Sequence, residues 1–535
     1  MKTLVLTGFM GTGKTTVGRA VALRLGRPFV DMDALIEAQA GKPIPRIFEE
    51  DGEAAFRRWE ADLCQALGER QGLVIATGGG ALVDPVNRAA FSSAAVLVCL
   101  NADIETIVER LGDAVDRPML GGKSPRADAA RLLRARQTAY AAIPWQVDTT
   151  GRSLDEVVER VVALAGVQTL YVTHPGGRYP IHIGQQILCY LGGALRAAGI
   201  PVEAKIAIVS NDVVAPLYAE PVRAALQESD FSPCLCVLPD GEAHKTLETV
   251  RRLYDQFLDH DLDRSGVVLA LGGGVTGDIA GFAAATFMRG LPFVQVPTSL
   301  LAMTDASVGA KTGVDLPQGK NLVGAFKQPA LVFVDLSVLQ TLPLEELRSG
   351  WAEVLKHGII ADPGLFAMLA DALDVGDLSV TPDMLARSIR VKRDIVEADP
   401  FEQGGRAVLN LGHTTGHALE RLSGYTLRHG EAVAIGMVVA ARIAEVMEKA
   451  DDGLAERIAH VLSAAGLPVR CPSLAVDRVW EAMRHDKKRR GRRLLWVLPR
   501  AIGDVTLERE VPDALVRSVL IQSGAKEVGN ESGGG

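Results

Sequence analysis

Along the first 165 residues, short apolar runs alternate with longer stretches whose apolar positions recur at helical spacing. Residues 3–7, a run ending near Val30, 73–76 and 95–100 read as strands, and a helix is expected from about residue 15. Leu154–Leu164 has helical spacing and closes the unit. Strands alternating with helices in this way imply a parallel sheet covered on both faces. Gly166 and Gln168 then precede a fresh strand, Thr169–Thr173, so a boundary is placed near 166. A second α/β pattern follows, with strands near 205–209, 234–238, 267–271 and 293–296. After about 345 the strand signal fades, and helical patterns succeed one another to about 485. The closing stretch Gly529–Gly535 carries too little apolar material to pack and is expected to be disordered. The expected division is 1–165, 166–345 and 346–520, with a tail over 521–535.

Composition narrows the classes. A chain of 535 residues is long for one domain, and 48% hydrophobic with 23% charged residues describes a protein able to build sizeable cores. The net charge of −8 argues against a general nucleic-acid binder. The run Lys487-Lys488-Arg489-Arg490-Gly491-Arg492-Arg493 departs from that acidity, and by itself reads as a solvated loop or a polyanion patch. Six dispersed cysteines suggest neither a disulfide framework nor a Cys-rich zinc module. Cys234 and Cys236 alternate with apolar residues, as strand packing would have them. No apolar run reaches the roughly 20 residues a spanning helix needs, and Met1 leads straight into a strand rather than a secretory signal. A cytoplasmic protein without membrane or nucleic-acid partners is expected.

Gly8-Phe9-Met10-Gly11-Thr12-Gly13-Lys14-Thr15 fits G-x-x-x-x-G-K-[ST], between an expected strand and an expected helix as that motif requires. Its glycines let backbone N–H groups turn inward around phosphate oxygens. Lys14 can reach the terminal phosphates, Thr15 can hold Mg2+, and the helix N-terminus adds a favourable field. Nucleotide binding follows, but the phosphoryl acceptor does not. Candidate acceptor groups are Asp31 and Asp33 after the second strand, Arg57 and Arg58 on a helix, and Gly78-Gly79-Gly80 after the next strand. Arg117-Pro118 lies in a stretch suited to a lid, and Arg136 has Tyr140 one turn later. A hydroxylated carboxylic acid calls for this set: arginines fork its carboxylate, an aspartate takes its hydroxyls, and glycines admit close approach. Singly, each also reads as a surface ion pair, a solvated face or a tight turn.

Together, in this order, these motifs resemble the shikimate kinase family across essentially all of residues 1–165. The resemblance implies ATP with Mg2+ on Gly11, Thr12, Gly13, Lys14, Thr15 and Thr16, with Asp31 near the metal and Arg117 closing from the lid. It implies shikimate on Asp33, Arg57, Gly79 and Arg136, with Asp33 nearest the attacking 3-hydroxyl. Lys14, Asp33 and Arg117 would be its catalytic groups. Arg-Pro-Met stands where Arg-Pro-Leu is more usual, and Thr138 where a proline is frequent.

In the second part, Val267–Leu271 runs into Gly272-Gly273-Gly274-Val275-Thr276-Gly277-Asp278. This is not G-x-G-x-x-G, yet three glycines at a strand-to-helix turn suit a pyrophosphate as well as they suit a plain turn. Asp240-Gly241-Glu242 with Lys245 follows another strand and could hold ribose hydroxyls. His413 and His417 share a helix face, and His429 follows, giving three of the chain's ten histidines within seventeen positions. A lone histidine is usually structural, whereas this density points to a metal. The stretch lacks the Glu of H-E-x-x-H, which disfavours a zinc protease. A catalytic zinc takes about three protein ligands and keeps a position open. Spacing alone pairs His413 with His417.

Residues from about 170 to 510 resemble the 3-dehydroquinate synthase family, through Asp240–Lys245, Gly272–Asp278, Pro297–Leu301, Asp305–Lys311, Gly319–Asn321, Gly350–His357 and Asn410–His417 in order. The resemblance implies a different metal set, Glu353, His413 and His429 around Zn2+ or Co2+, leaving His417 to face the substrate and move protons. It implies NAD+ on Asp240, Glu242, Lys245, Gly273, Gly274, Val275, Asp278, Thr298, Ser299, Lys311, Lys320, Asn321 and Thr341. The implied substrate is 3-deoxy-arabino-heptulosonate 7-phosphate, with Arg289, Lys311, Lys356, Lys392, Arg406, Lys487 and Lys488 as its cations. Asp305, Asn410 and His417 would meet hydroxyls and relay protons, and Asp305, Lys311, Lys356 and His417 would be the catalytic groups. The first residues of the basic run thereby reach into the site. Ser299 replaces a frequent threonine, and Ala310 a frequent glycine.

The expected fold class is α/β: a P-loop parallel-sheet domain, then an α/β nucleotide-binding part followed by an all-helical metal-binding part. The implied activities are phosphorylation of shikimate at its 3-hydroxyl, and conversion of the heptulosonate phosphate to 3-dehydroquinate and phosphate with NAD+ regenerated each turn. Such cyclases are commonly dimers, so the resemblance implies a homodimer through the second part. The alternative is another small-molecule P-loop kinase fused to a sister sugar-phosphate cyclase or a polyol dehydrogenase. A binding protein built on inactive enzyme domains is disfavoured by the intact Lys14, Glu353, His413 and His429.

Overall fold

A computed structural model describes residues 1–91, 95–112, 125–488 and 494–527. The opening strand, β1 (Thr3–Gly8), is buried along its whole length, as TLVLTG requires of a central strand covered on both faces. It is the middle of a five-stranded sheet with β2 (Phe29–Asp31), β3 (Val74–Ala76), β4 (Ala95–Asn101) and β5 (Trp145–Asp148), in the order β2-β3-β1-β4-β5. Every pairing is parallel. The chain leaves β1 to one side for β2 and β3 and returns on the other for β4. The carboxyl end of β1 is therefore the switch point where open α/β sheets bind ligands.

The helices of this part are α1 (Lys14–Leu25), α2 (Met32–Ala40), α3 (Ile44–Glu50), α4 (Glu53–Gly68), α5 (Pro85–Phe91), α6 (Ile104–Leu111), α7 (Pro125–Ala141) and α8 (Leu154–Leu164). The last of these starts on a capping box, in which Ser153 accepts from Glu156 N and the Glu156 side chain takes the Ser153 N–H. Its buried residues are Val157, Val158, Val161 and Leu164, the stripe that the sequence pattern calls for.

Seven further strands are β6 (Gln168–His174), β7 (Gly177–Gly184), β8 (Lys205–Asn211), β9 (Ser232–Leu238), β10 (Val267–Gly272), β11 (Phe293–Pro297) and, after a hairpin, β14 (Leu331–Asp335). They form one sheet in the order β6-β7-β14-β11-β10-β8-β9. The hairpin is β12 (Lys311–Leu316) with β13 (Gly319–Phe326), antiparallel and separate from the sheet. Helices α9 (Leu191–Ala197), α10 (Ala215–Gln227), α11 (Leu247–Asp259) and α12 (Gly274–Thr286) accompany these strands. By compactness, residues 1–169, 184–207 and 218–234 make one unit, and 170–183, 208–217 and Leu235 onward the other.

The C-terminal part consists of α13 (Leu344–Ala361), α14 (Pro363–Asp374), α15 (Pro382–Ala398), α16 (His413–Leu422), α17 (His429–Val446), α18 (Leu454–Ala464), α19 (Val476–Lys488) and α20 (Asp513–Gln522). It also carries an antiparallel hairpin, β15 (Trp496–Ala501) with β16 (Asp504–Glu508), which the helical pattern does not announce. Helix α17 is apolar nearly all round, and it is buried from Ala432 to Ala441 without a break. Two of its glycines permit very close approach. A Cβ on Gly430 would lie 2.1 Å from Ser349 O in α13, and one on Gly436 would lie 1.9 Å from Gly412 O just before α16. The middle of α13 and the first turns of α16 and α17 thus meet at one place. Among the described residues, no helix is long and apolar enough to cross a membrane.

Candidate active sites

In the N-terminal part, the loop after β1 turns on glycines. Gly8 has φ 132°, and a Cβ there would lie 2.1 Å from Leu100 O; Gly13, which precedes α1, has φ 91°. The turn delivers Lys14 and Thr15 to the first turn of α1. Lys14 Nζ donates to the carbonyls of Gly8 (3.0 Å) and Phe9 (2.9 Å), and Thr15 Oγ1 donates to Asp31 Oδ2 (2.9 Å). Asp31 Oδ1 accepts from Asp33 N at 3.1 Å, capping α2 and fixing the acidic pair beside the loop. Thr16 follows as an exposed residue of α1.

The second wall of this site is the loop Gly78–Gly80. Arg57 on α4 packs against it, since a Cβ on Gly80 would lie 2.3 Å from Arg57 Nη1. Arg136, buried on α7, donates to Gly79 O at 3.2 Å, and Tyr140 OH donates to the same carbonyl at 2.6 Å. A Cβ on Gly78 would meet Asp33 Oδ1 and Glu60 Oε1, each at 2.7 Å. Asp33, Arg57, Gly79 and Arg136 are therefore neighbours. Glu60 joins them: it is buried, bonds Arg57 Nη1 at 2.5 Å through Oε2, and among the described residues has no hydrogen-bond partner for Oε1. Burial lifts its pKa above the usual carboxylate range against the pull of Arg57. In the sequence it reads only as an i,i+3 partner of Arg57. Arg117 lies outside the described residues.

In the C-terminal part, Glu353 lies midway along α13, fully buried, while His413 and His429 are the first residues of α16 and α17. Glu353 Oε1 is 3.8 Å from His413 Nε2 and 3.5 Å from His429 Nε2. Lys356 Nζ pairs with Oε2, yet among the described residues neither oxygen accepts a well-formed hydrogen bond. Burial would raise the Glu353 pKa, but Lys356 and the two histidines outweigh it and hold the carboxylate ionised well below its ordinary range. Burial and Lys356 hold His413 neutral, its pKa far below that of a free imidazole. His429 goes the other way: the carboxylates of Glu353 and Glu420 facing its two ring nitrogens overcome burial and lift it to about 10. One carboxylate and two imidazoles with ligand atoms within 4.8 Å of one another can hold a metal. His417 is exposed, with its ring 5.2 Å from that of His413, and among the described residues no such group joins those two histidines. A group of His417, Glu420 and His429 does satisfy the same distance.

His413 opens onto a cavity of about 590 Å³. Asp278, Asp305, Lys311, Asn321, Lys356, Lys392, Arg406 and Asn410 line it as well. Lys356 and Lys392 are buried cations, and Lys392 Nζ lies 2.5 Å from Asp305 Oδ1. Burial lowers the pKa of Lys392, whereas Asp305 is held far below its usual range because Lys392 and Lys356 outweigh its own burial. Arg406 donates to the carbonyls of Pro400 (3.3 Å) and Gly309 (3.4 Å). Lys311 pairs with Glu402 at 2.6 Å.

Beside this cavity, the turn from β10 to α12 presents Gly273 and Gly274, followed by Val275, and Thr298 N donates to Gly272 O at 3.0 Å. Lys245 Nζ lies 2.6 Å from both Asp278 Oδ2 and Asn321 Oδ1, and Lys320 pairs with Glu242 at 3.3 Å. Burial lifts Asp278 to about 6 against the attraction of Lys245. Asp240 accepts from Asn211 Nδ2 at 2.5 Å, Ser299 Oγ from Ala302 N at 3.3 Å, and Thr341 Oγ1 donates to Val338 O at 3.2 Å. Arg289 is exposed in a left-handed turn (φ 68°) and is not among the cavity's lining residues. Lys487 and Lys488 end α19, with side chains outside the described residues. Glu402 and Glu420 have no place in the sequence reading, where isolated acids carry no signal.

Comparison with known proteins follows the same division. The shikimate kinase family matches residues 10–165, the 3-dehydroquinate synthase N-terminal family residues 235–349, and its C-terminal counterpart residues 350–489. The 3-dehydroquinate synthase of Synechocystis sp. is 44% identical over 359 residues, which are 66% of this chain and 99% of that protein. Among solved structures, the 2-epi-5-epi-valiolone synthase of Streptomyces hygroscopicus subsp. jinggangensis, with NAD+ and Zn2+ bound, is 30% identical (TM-score 0.59; 64% of this chain, 96% of that one). A 2-deoxy-scyllo-inosose synthase complexed with carbaglucose-6-phosphate, NAD+ and Co2+ is 25% identical (TM-score 0.60; 66% of this chain, 100% of that one).

Proposed function

The chain belongs to the 3-dehydroquinate synthase family and carries a shikimate kinase domain ahead of the synthase; from that premise we propose how the side chains of its two sites divide the work. The protein is a bifunctional enzyme of the shikimate pathway, phosphorylating shikimate with ATP and converting 3-deoxy-arabino-heptulosonate 7-phosphate to 3-dehydroquinate and phosphate. The observation that carries the residue roles is the convergence of Glu353, His413 and His429 beside a cavity rich in cations.

In the kinase, the backbone of Gly11–Thr15 receives the phosphates, with Thr12 and Thr16 flanking them. Lys14 leaves the two carbonyls it now holds for the β- and γ-phosphate oxygens. Thr15 and Asp31, already hydrogen-bonded to each other, would hold Mg2+. Arg57 and Arg136 fork the shikimate carboxylate, and Gly79 lies against the ring. Asp33 takes the proton from the 3-hydroxyl as it attacks the γ-phosphorus. Glu60 keeps Arg57 aimed. Arg117 belongs to the same reading, as the group that closes over ATP.

In the synthase, one buried carboxylate and two imidazoles, with one side open to the cavity, suit Zn2+ or Co2+. The turn Gly273–Val275, Asp278, Thr298 and Ser299, with Asp240, Glu242, Lys245, Lys311, Lys320, Asn321 and Thr341, suits NAD+. When bound, the metal supplies Lewis acidity at the substrate's C5 hydroxyl, and the dinucleotide takes up hydride and returns it within one turnover. Lys311, Lys356, Lys392 and Arg406, with Arg289, Lys487 and Lys488, hold the carboxylate and phosphate and balance the charge of the departing phosphate. Asp305, pinned by Lys392, and Asn410 receive hydroxyls. His417, an exposed imidazole next to His413, moves the proton. Pairing of two copies through the synthase part, and residence in the cytoplasm, complete the reading.

Two assays on one preparation test it. One follows ADP formation that depends on shikimate, and the other follows chelator-sensitive phosphate release from the heptulosonate phosphate. Lys14→Ala is expected to lower the first about 100-fold or more and spare the second, and His413→Ala to do the reverse. A substitution that silences both activities would refute the division.

A further inference from the structure

Both ring nitrogens of His429 face a carboxylate. Nε2 lies 3.5 Å from Glu353 Oε1, the oxygen that also stands 3.8 Å from His413 Nε2. Nδ1 lies 3.4 Å from Oε1 of Glu420, a residue of α16 that is 8% exposed and that does not line the cavity. The backbone around Glu420 is fixed: its carbonyl accepts from Ser423 Oγ at 2.8 Å and from Tyr425 N at 2.9 Å, closing the end of α16. An imidazole that gives Nε2 to a cation keeps its proton on Nδ1, and here that proton points at Glu420.

We propose that Glu420 is a positioning residue: it accepts the Nδ1–H of His429, fixes that ring's tautomer and plane, and strengthens metal binding without touching the ion. The inference rests on Glu353, His413 and His429 being the ligand set. Glu420 could instead be a ligand itself, together with His417 and His429. Two observations favour the outer role. Glu353, not Glu420, is the fully buried carboxylate with oxygens lacking hydrogen-bond partners, so it gains most from a cation. Moreover, the His417 ring lies 6.2 Å from that of His429, against 5.2 Å for His413.

The test uses the full-length protein loaded with Co2+, comparing the parent with Glu420→Gln, His413→Ala and His417→Ala. Chelator competition gives the Co2+ dissociation constant, the visible d–d absorption reports ligand geometry, and NAD+ affinity and metal-free thermal unfolding report the fold. Glu420→Gln is expected to weaken Co2+ about 10- to 100-fold and to shift the absorption band, with NAD+ affinity and metal-free unfolding unchanged. His413→Ala should lose tight binding and His417→Ala should keep it. Unchanged affinity and spectrum in Glu420→Gln, alongside the loss in His413→Ala, would overturn this inference and leave the ligand set standing. Tight binding that survives in His413→Ala and vanishes in His417→Ala would overturn the ligand set and make Glu420 a ligand. Equal weakening of Co2+ and NAD+ with lower metal-free stability would reduce Glu420 to a structural part, and so overturn the inference too.

Discussion

His357 follows Lys356 in α13 and is fully buried. Its Nδ1 lies 2.8 Å from Ser388 Oγ, while Nε2 has no hydrogen-bond partner among the described residues. Burial, with Lys356 beside it, pushes the ring's pKa down to about 3. In the unfolded chain the same ring titrates near 6.5. Between about 6.5 and about 3 the unfolded state therefore binds more protons, and the stability held by neutral His357 is lost as pH falls through that window. The slope from this one group is at most about 1.4 kcal/mol per pH unit. Urea unfolding of the metal-free protein from pH 6.5 to 4.5 should show a flatter pH dependence in His357→Asn; identical slopes would contradict the buried neutral ring. At this scale, the residues legible in the sequence are those with a motif around them. Lys14 stands in a phosphate loop, and His413 in a cluster of histidines. Glu60 and Glu420 were not legible, because a carboxylate one turn from an arginine or a histidine reads as a surface pair until its burial is known.

Helix α17 shows how an element sets a site. Its alanine, valine and isoleucine side chains are buried, but the closeness of its approach depends on having no side chain at Gly436. Gly436→Ala would drive a Cβ against Gly412 O and force α17 away from the turn that starts α16. Overpacking of this kind costs about 1–3 kcal/mol. The variant is expected to unfold at lower urea and to bind metal more weakly, since His413 and His429 head the two displaced helices. Parent-like stability and metal affinity would show that the approach does not matter. The hairpins were the elements hardest to foresee. In β13, GKNLVGAF mixes glycine and polar residues on an exposed ribbon, with no alternating apolar face. In β15, Pro499 argues against a strand, yet a two-stranded ladder tolerates it.

Across the whole chain, the order of long motifs made both enzymes legible, whereas the compact units, each discontinuous in sequence, leave no mark in the hydrophobic pattern. The two activities are not consecutive steps. 3-Dehydroquinate must lose water and have its ketone reduced before it becomes shikimate, so the synthase cannot hand its product to the kinase of the same chain. In the presence of the two intervening enzymes, intermediates should be released equally from the fused protein and from its separated parts. A clear loss of transfer on separation would contradict this. The claim on which the synthase depends is the convergence of Glu353, His413 and His429 on one cation, and anomalous diffraction from crystals of the Co2+-loaded full-length protein tests it most directly. The expected map has one peak per chain, in contact with the Glu353 carboxylate and with Nε2 of both histidines. A peak centred among His417, Glu420 and His429, or an active crystal with no peak, would contradict it.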